Sequence, residues 1–353
     1  VTIPAPTSHQ TYPCGNCGAQ LQFAPGTTAL ACPYCGARQE IVPQQRQVVE
    51  HEYAALAAKP RRNPQEVPPN LFVCTGCQAH TESDAWSDVC QFCGAPVVTD
   101  QFDPNLVAPE GVLPFQLDKS GARKALQEWV SSRWFAPNAF KKVDEAESLK
   151  STYLPHWTWD AATTSHYRGE RGEHYYVERD GKRERRTKWR NVQGTVQRRF
   201  DDVVVPATAH VSGDYLDDLS KDWDTKKAVA FQPQYLSGHF TQRYDLGPDQ
   251  SLEAAKRKMA PVIRKDVERH IGGDAQRVHH VDTRYADLTY KLLLLPVWLL
   301  AYLFNGKTWQ VLVSGQTGKV EGERPWSAWK IIFAILAALI VIAGIVYLIY
   351  TNQ

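Results

Sequence analysis

All eight cysteines of this 353-residue chain fall into four Cys-x-x-Cys pairs: Cys14/Cys17, Cys32/Cys35, Cys74/Cys77 and Cys90/Cys93. A pair at this spacing can fold a tight turn around one metal ion and offer it two thiolates. Fourteen residues separate the first two pairs and twelve the second two, so each half can close a four-sulfur tetrahedron of the zinc-ribbon kind. Gly18, Gly36 and Gly94 follow a second thiolate, where a turn points backbone N–H groups at sulfur; Gln78 stands at the equivalent place in the third pair. The reading is two structural Zn2+ ions, one on Cys14, Cys17, Cys32 and Cys35 and one on Cys74, Cys77, Cys90 and Cys93.

The alternative is a disulfide framework, which belongs to an oxidising compartment. A redox role would leave pairs over, and none is left over. Both expected sites are closed, so the metal supplies folding energy to segments too short for a core of their own. Residues 1–100 hold five Lys/Arg against eight Asp/Glu, and each four-thiolate zinc adds −2, giving about −7 in all. Phosphate binding needs the opposite sign, so the ribbons read as protein-contact modules.

The elements that would carry these sites follow from periodicity. QVVEHEYAALAAK suits a short helix, ended by the proline-rich PRRNPQEVPPN. Ala122, Ala125, Leu126, Trp129 and Val130 recur at helical steps, as do Leu252, Ala255, Met259, Val262, Ile263 and Val267. In that second helix Asp249 or Ser251 is the expected cap, Pro261 an expected kink and Gly272-Gly273 the stop. Between the helices, short aromatic, Thr and Val runs predict strands with a hairpin across Asp180-Gly181, and beyond the second helix Asn305-Gly306 predicts another. Residues 168–199 carry eleven Lys/Arg and five Asp/Glu. Arg183, Arg185, Arg186, Lys188, Arg190, Arg198 and Arg199 therefore form a candidate basic contact surface. Three readings of it stand side by side: a solvated strand face, contact with anionic lipid or an acidic protein, and nucleic acid.

Ile331–Tyr350 is intensely apolar; thirteen of its twenty residues are Ile, Leu, Phe or Val. Twenty residues of helix cover about 30 Å, the depth of a bilayer's hydrocarbon. Trp326, Trp329, Lys330, Tyr347 and Tyr350 would then be membrane-interface residues, with lipid as a partner. Lys319, Arg324 and Lys330 precede the run and no charge follows it, which predicts a body on the cytoplasmic side of the inner membrane. The start, VTIPAPTSHQTYPC, has no signal-peptide pattern, so a single-pass tail anchor is the expectation.

The expected fold class is α+β: two N-terminal four-cysteine zinc ribbons, a mainly antiparallel β domain with amphipathic helices, and one C-terminal transmembrane helix. The expected boundaries are ribbon 1 at 1–43, a helical and proline-rich linker at 44–69, ribbon 2 at 70–100, the α+β domain at 101–325 and the anchor at 326–353. No reaction centre emerges. GQTGK at 315–319 lacks the flanking residues of a phosphate loop, Val standing at 313 and 320. HExxH, GxSxG and GxGxxG are absent, and His156, Asp160 and His166 form no marked catalytic set. The expectation is a protein that is not an enzyme.

LPHWTWDAATTSHYRGERGEHYY and KLLLLPVWLLAY…VLVSGQTGKVEGERPWS, with the four cysteine pairs, resemble a family of bacterial zinc-ribbon membrane proteins. Members carry labels such as transcription-factor-IIB-type or primosomal helicase-like zinc ribbon protein, although helicase motor motifs are absent here. The resemblance implies partners of the phage-shock-protein-A and flotillin-like (SPFH) types, and a role in envelope stress or membrane organisation. Together these readings predict a membrane-tethered adaptor or scaffold that recruits cytoplasmic proteins and is open to oligomerisation; the alternative is a nucleic-acid binder using 183–199.

Overall fold

The computed structural model describes residues 9–59, 64–67, 69–74, 80–90, 95–99, 103, 106–132, 149–179, 182–304, 307–323 and 328–351. Three very long strands organise it: Lys150–Arg179, Lys182–Pro206 and Ala275–Phe304. The first lies between the other two and pairs antiparallel with both. At their buried end all three enter the core. Trp157, Trp159, Leu292, Leu293, Leu294, Leu295 and Val297 are sealed there, because this end is covered on both faces and so reads as a continuous apolar run.

Further out the strands alternate. Tyr167, Ser165 and Thr163 face inward, while Thr164, His166, Arg168 and Glu170 face the other way. The helix Pro248–Ile271 covers the inward face with Leu252, Ala255, Met259, Ile263, Val267 and Ile271. Polar bonds fix its seat: Trp159 Nε1 donates to Ser251 Oγ (2.9 Å), and Tyr167 Oη meets His270 Nδ1 (2.8 Å). Its cap is Gly247 with Pro248 in the first turn, in place of the expected Asp249 or Ser251. The Gln250 side chain reaches back to accept from the Gly247 amide, as a third-position glutamine does in a capping box.

The third strand meets the first only as far as Ala275 opposite Gly172. Beyond that level, Glu173–Arg179 and Lys182–Lys188 continue as a two-stranded ribbon, about 20 to 24 Å long at strand rise. The hairpin expected across Asp180-Gly181 is thus present as strand pairing, Arg179 opposite Lys182. Phe304 opposite Lys307 likewise bears out the second hairpin, and Gly315–Lys319 is a turn leading into Val320–Gly322. The helix Lys119–Ser131 is capped by Asp118, whose carboxylate accepts from the Gly121 amide at 2.8 Å.

Two expectations about fold class are corrected, the α+β class and the transmembrane helix. The long pairings are antiparallel, joined by two short parallel ones: Gly111–Val112 runs parallel to Leu293–Leu294, and Thr152–Tyr153 parallel to Phe240–Thr241. The apolar C-terminal run does form a helix, Ala328–Thr351. Among the described residues, however, no helix is long and apolar enough to cross a membrane. The transmembrane anchor, and with it the tail-anchored inner-membrane placement, is therefore not upheld, and the fold is a mainly β one. Of the expected interface residues, Tyr347 and Tyr350 are exposed, while Trp326 and the side chains of Trp329 and Lys330 lie outside the described residues.

Candidate functional site

The first ribbon is a three-stranded sheet of Gln22–Phe23, Ala29–Ala31 and Arg38–Glu40, with a knuckle before each half. The two knuckles are built alike. The Cys14 amide donates to Ala19 O and the Gly18 amide to Cys14 O; Cys32 pairs with Ala37, and Gly36 with Cys32, in the same way. Gly18 and Gly36 have φ of 75° and 73°, left-handed values that close the turn. Cys14, Cys17, Cys32 and Cys35 are thereby brought within 4.8 Å of one another, close enough to bind a metal ion. Sγ–Sγ distances of 3.6 Å (Cys14–Cys35) and 3.5 Å (Cys17–Cys32) compare with the edge of about 3.8 Å in a tetrahedron of 2.3 Å zinc–sulfur bonds. They are far longer than a disulfide's roughly 2.05 Å.

The local field favours thiolate at the second knuckle. The Ala37 backbone amide, then the Asn16 side chain, bring Cys35 down to about 6. The backbone of Cys35 likewise lowers Cys32. The Ala19 amide pulls Cys17 the same way, but the crowding thiols of Cys32 and Cys35 push it up to about 12. Four sulfurs this close cannot all ionise without a cation among them, and a doubly charged metal supplies it. The residues fit the group.

Of the second expected set, Cys74 and Cys90 are buried, and the Cys90 amide donates to Ala95 O, repeating the knuckle bond. Cys77 and Cys93 lie outside the described residues.

Neither ribbon region stands apart from the body. Phe23 is buried with its ring 5.2 Å from that of Tyr235, its amide donates to Ser237 O, and Ser237 Oγ donates to Leu21 O. Cys14, Leu21, Phe23, Leu30, Cys32 and Ile41 belong to the same apolar cluster as Trp157 and Trp159. On the second side, Arg243 bonds Val67 O and pairs with Asp84, and Ser87 Oγ donates to His239 O.

The expected basic surface lies on the second long strand. Arg183, Arg185, Arg186, Lys188, Arg190 and Arg199 are exposed. Part of that charge is spent within the molecule: Arg190 pairs with Glu173, Arg186 with Glu184, and Arg198 with Asp266. Arg183 lies over the Tyr176 ring at 4.6 Å, and Arg277 over Trp189 at 4.0 Å.

One constellation was not foreseen. Glu50, Asp160, Asp201 and Asp202 bring carboxylate oxygens within 4.8 Å of one another, around Lys291. Asp160 sits at a bulge in the first strand, and its Oδ1 accepts from the Asp202 amide at 2.6 Å. The lysine heads the apolar run KLLLL, where a charge asks for a partner, but nothing in the sequence says which of the distant acids supplies it.

A relative is similar along nearly the whole length. The uncharacterized protein YdjG of Bacillus subtilis (strain 168) is 26% identical over 329 residues, which is 91% of this chain and 92% of the relative. No protein-family model matches the chain. No solved structure matches it either.

Proposed function

We propose that this chain is a zinc-ordered adaptor, whose ribbons brace a β body that presents a long, charged arm to protein partners. The observation that carries the reading is the ribbon's seat. Phe23 and Leu21 are consumed against Tyr235 and Ser237, so the first ribbon serves as a brace while the two-stranded tip beyond Gly172 is left to meet something else. A second zinc on Cys74, Cys77, Cys90 and Cys93 belongs to the same proposal, supported by the buried pair and its knuckle bond. Partners of the phage-shock-protein-A and SPFH types are the candidates that the family resemblance suggests.

Elemental analysis and mild affinity co-purification of the full chain test it together. Two zinc ions per chain and a protein partner lost on changing Arg183, Arg185, Arg186 and Lys188 to Glu, with zinc retained, are the expected results. One zinc per chain, or a partner indifferent to the arm, overturns the corresponding half. The stacked pairs Arg183–Tyr176 and Arg277–Trp189 favour nucleic acid as the second reading. Steeply salt-dependent binding of duplex or single strands would put it first.

A further inference from the structure

Between the two ribbons the chain crosses the central sheet as a strap, Arg46–Tyr53. It is held at two places. At one, the Val49 amide donates to Glu110 Oε1 (3.2 Å), while Arg46 and His51 both pair with Glu110 Oε2 (2.6 and 2.9 Å). At the other, His51 and Glu52 add a short strand beside Tyr290 and Thr289, and Glu50 reaches into the carboxylate group.

That second place is overcrowded with negative charge. Glu50 Oε1 lies 3.1 Å from Lys291 Nζ, and Lys291 is also 2.7 Å from Asp202 Oδ1. Thr289 Oγ1 is 3.2 Å from Glu50 Oε2 and 3.4 Å from Asp160 Oδ2. Thr225 Oγ1 donates to Asp202 Oδ2 at 2.6 Å, and the only cation at Asp201 among the described pairs is Lys226, at 3.9 Å and exposed. Four acids thus face two ammonium groups, one of them screened by water. The Glu50 and Asp160 carboxylates lie within 4.8 Å of each other, on either side of Thr289 Oγ1, and two carboxylates this close can bond each other only when one of them carries a proton.

We propose that Glu50 and Asp160 hold one proton between them, and that this shared proton latches the inter-ribbon strap onto the central sheet. The strap is then a pH-sensitive tie between the two metal-binding regions. With the proton in place, three negative charges face Lys291 and Lys226; without it, four do, and Glu50 is the one free to leave, since it alone sits on the strap.

Desolvation first, then the bond to Glu50, raises Asp160 from the ordinary carboxylate range to about 7, while the same bond leads the lowering of Glu50. When the strap lifts, Asp160 returns toward about 3.9. The docked state therefore holds the proton more tightly. Its extra stability is complete below about pH 4, declines as pH rises from there, and is gone above about pH 7. Between pH 5.5 and 8.5 the strap-opening equilibrium should rise about tenfold to thirtyfold, the lower figure allowing for solvent screening of half-buried groups.

Amide hydrogen exchange of the full chain with zinc bound reads this directly, in residues 47–53 after correction for the intrinsic pH dependence of exchange, with 248–271 as internal reference. The expected result is a rise of about that size in the wild type and a flat profile in Asp160→Asn, whose carboxamide stays neutral and can still donate. Should Asp160→Asn fail to fold, Glu50→Gln on the exposed strap gives the same flat profile. His51→Gln, which removes the pair with Glu110 and a ring contact with Tyr290 but leaves every member of the carboxylate group in place, should keep the pH dependence. A flat wild type, a dependence surviving in both carboxamide variants, or one abolished by His51→Gln instead, overturns the latch. Zinc content measured at each pH separates this outcome from simple metal loss, and the adaptor reading stands or falls apart from it.

Discussion

Replacing Phe23 by Ala removes a phenyl ring that is 3% exposed, 5.2 Å from the Tyr235 ring and 6.0 Å from that of His239, without touching a metal ligand. Buried Phe→Ala changes cost about 3–5 kcal/mol. The ribbon is small and held here by few other groups, so it can shift to fill the gap, and about 3 kcal/mol is the expected figure. A loss of that size raises the undocked population roughly 150-fold. The Phe23 amide bond to Ser237 survives, so the effect isolates packing from backbone pairing. Urea unfolding should show a lower midpoint, and a colorimetric chelator should strip the metal of Cys14, Cys17, Cys32 and Cys35 at least tenfold faster. Tyr34→Ser, at a ring 82% exposed on the second knuckle, is the control and should change neither. Stability within about 0.5 kcal/mol of wild type and unchanged metal release in Phe23→Ala would show that the body does not brace the ribbon.

Other outcomes follow from single sites. Lys291→Met should cost about 3–5 kcal/mol by leaving Asp202 and Glu50 uncompensated, and the added Asp202→Asn should recover part of it in urea titrations. His156 and His239 are fully buried, and burial lowers each to about 4. Unfolding protonates them below about pH 6.5, so each should withdraw up to about 3 kcal/mol as pH falls from there toward 4. His156→Gln should lessen that acid loss in unfolding curves taken at pH 7 and 5. Gly172→Val should dislodge Trp189, since even a Cβ there would meet its ring at 2.9 Å. The change should be read as altered tryptophan fluorescence and loss of the stack with Arg277.

What could be read from residues alone was the local chemistry. Cysteine spacing placed the first metal set because a ribbon's ligands are fixed by two short turns. Asp180-Gly181 and Asn305-Gly306 placed two hairpins because those dipeptides suit the turn itself. The lengths of the strands escaped notice, since Arg277–Leu288 is polar on the side away from the helix and lacks the β-rich run that marks a strand end to end. The carboxylate group escaped for another reason: residues 50, 160, 201, 202 and 291 meet only through tertiary pairing. Nor did the sequence show that Phe23 would be spent on Tyr235, because an apolar residue in a ribbon looks the same whether it covers its own metal or a neighbour. For Ile331–Tyr350 apolarity identified a helix correctly and a membrane span that is not upheld.

The arm's construction also limits how such a chain can vary. From Gly172 outward every residue of one strand is opposed by one of the other, and a single insertion in either would turn all the side chains beyond it to the opposite face. Trp189 would leave its seat over Gly172, and Arg183 its place over Tyr176. Lengthening or trimming is tolerated only in matched steps on both strands, close to the tip, where no partner strand keeps count. Related chains should therefore differ in reach by even numbers of residues, while the level of Gly172 and everything below it stays in register with the core.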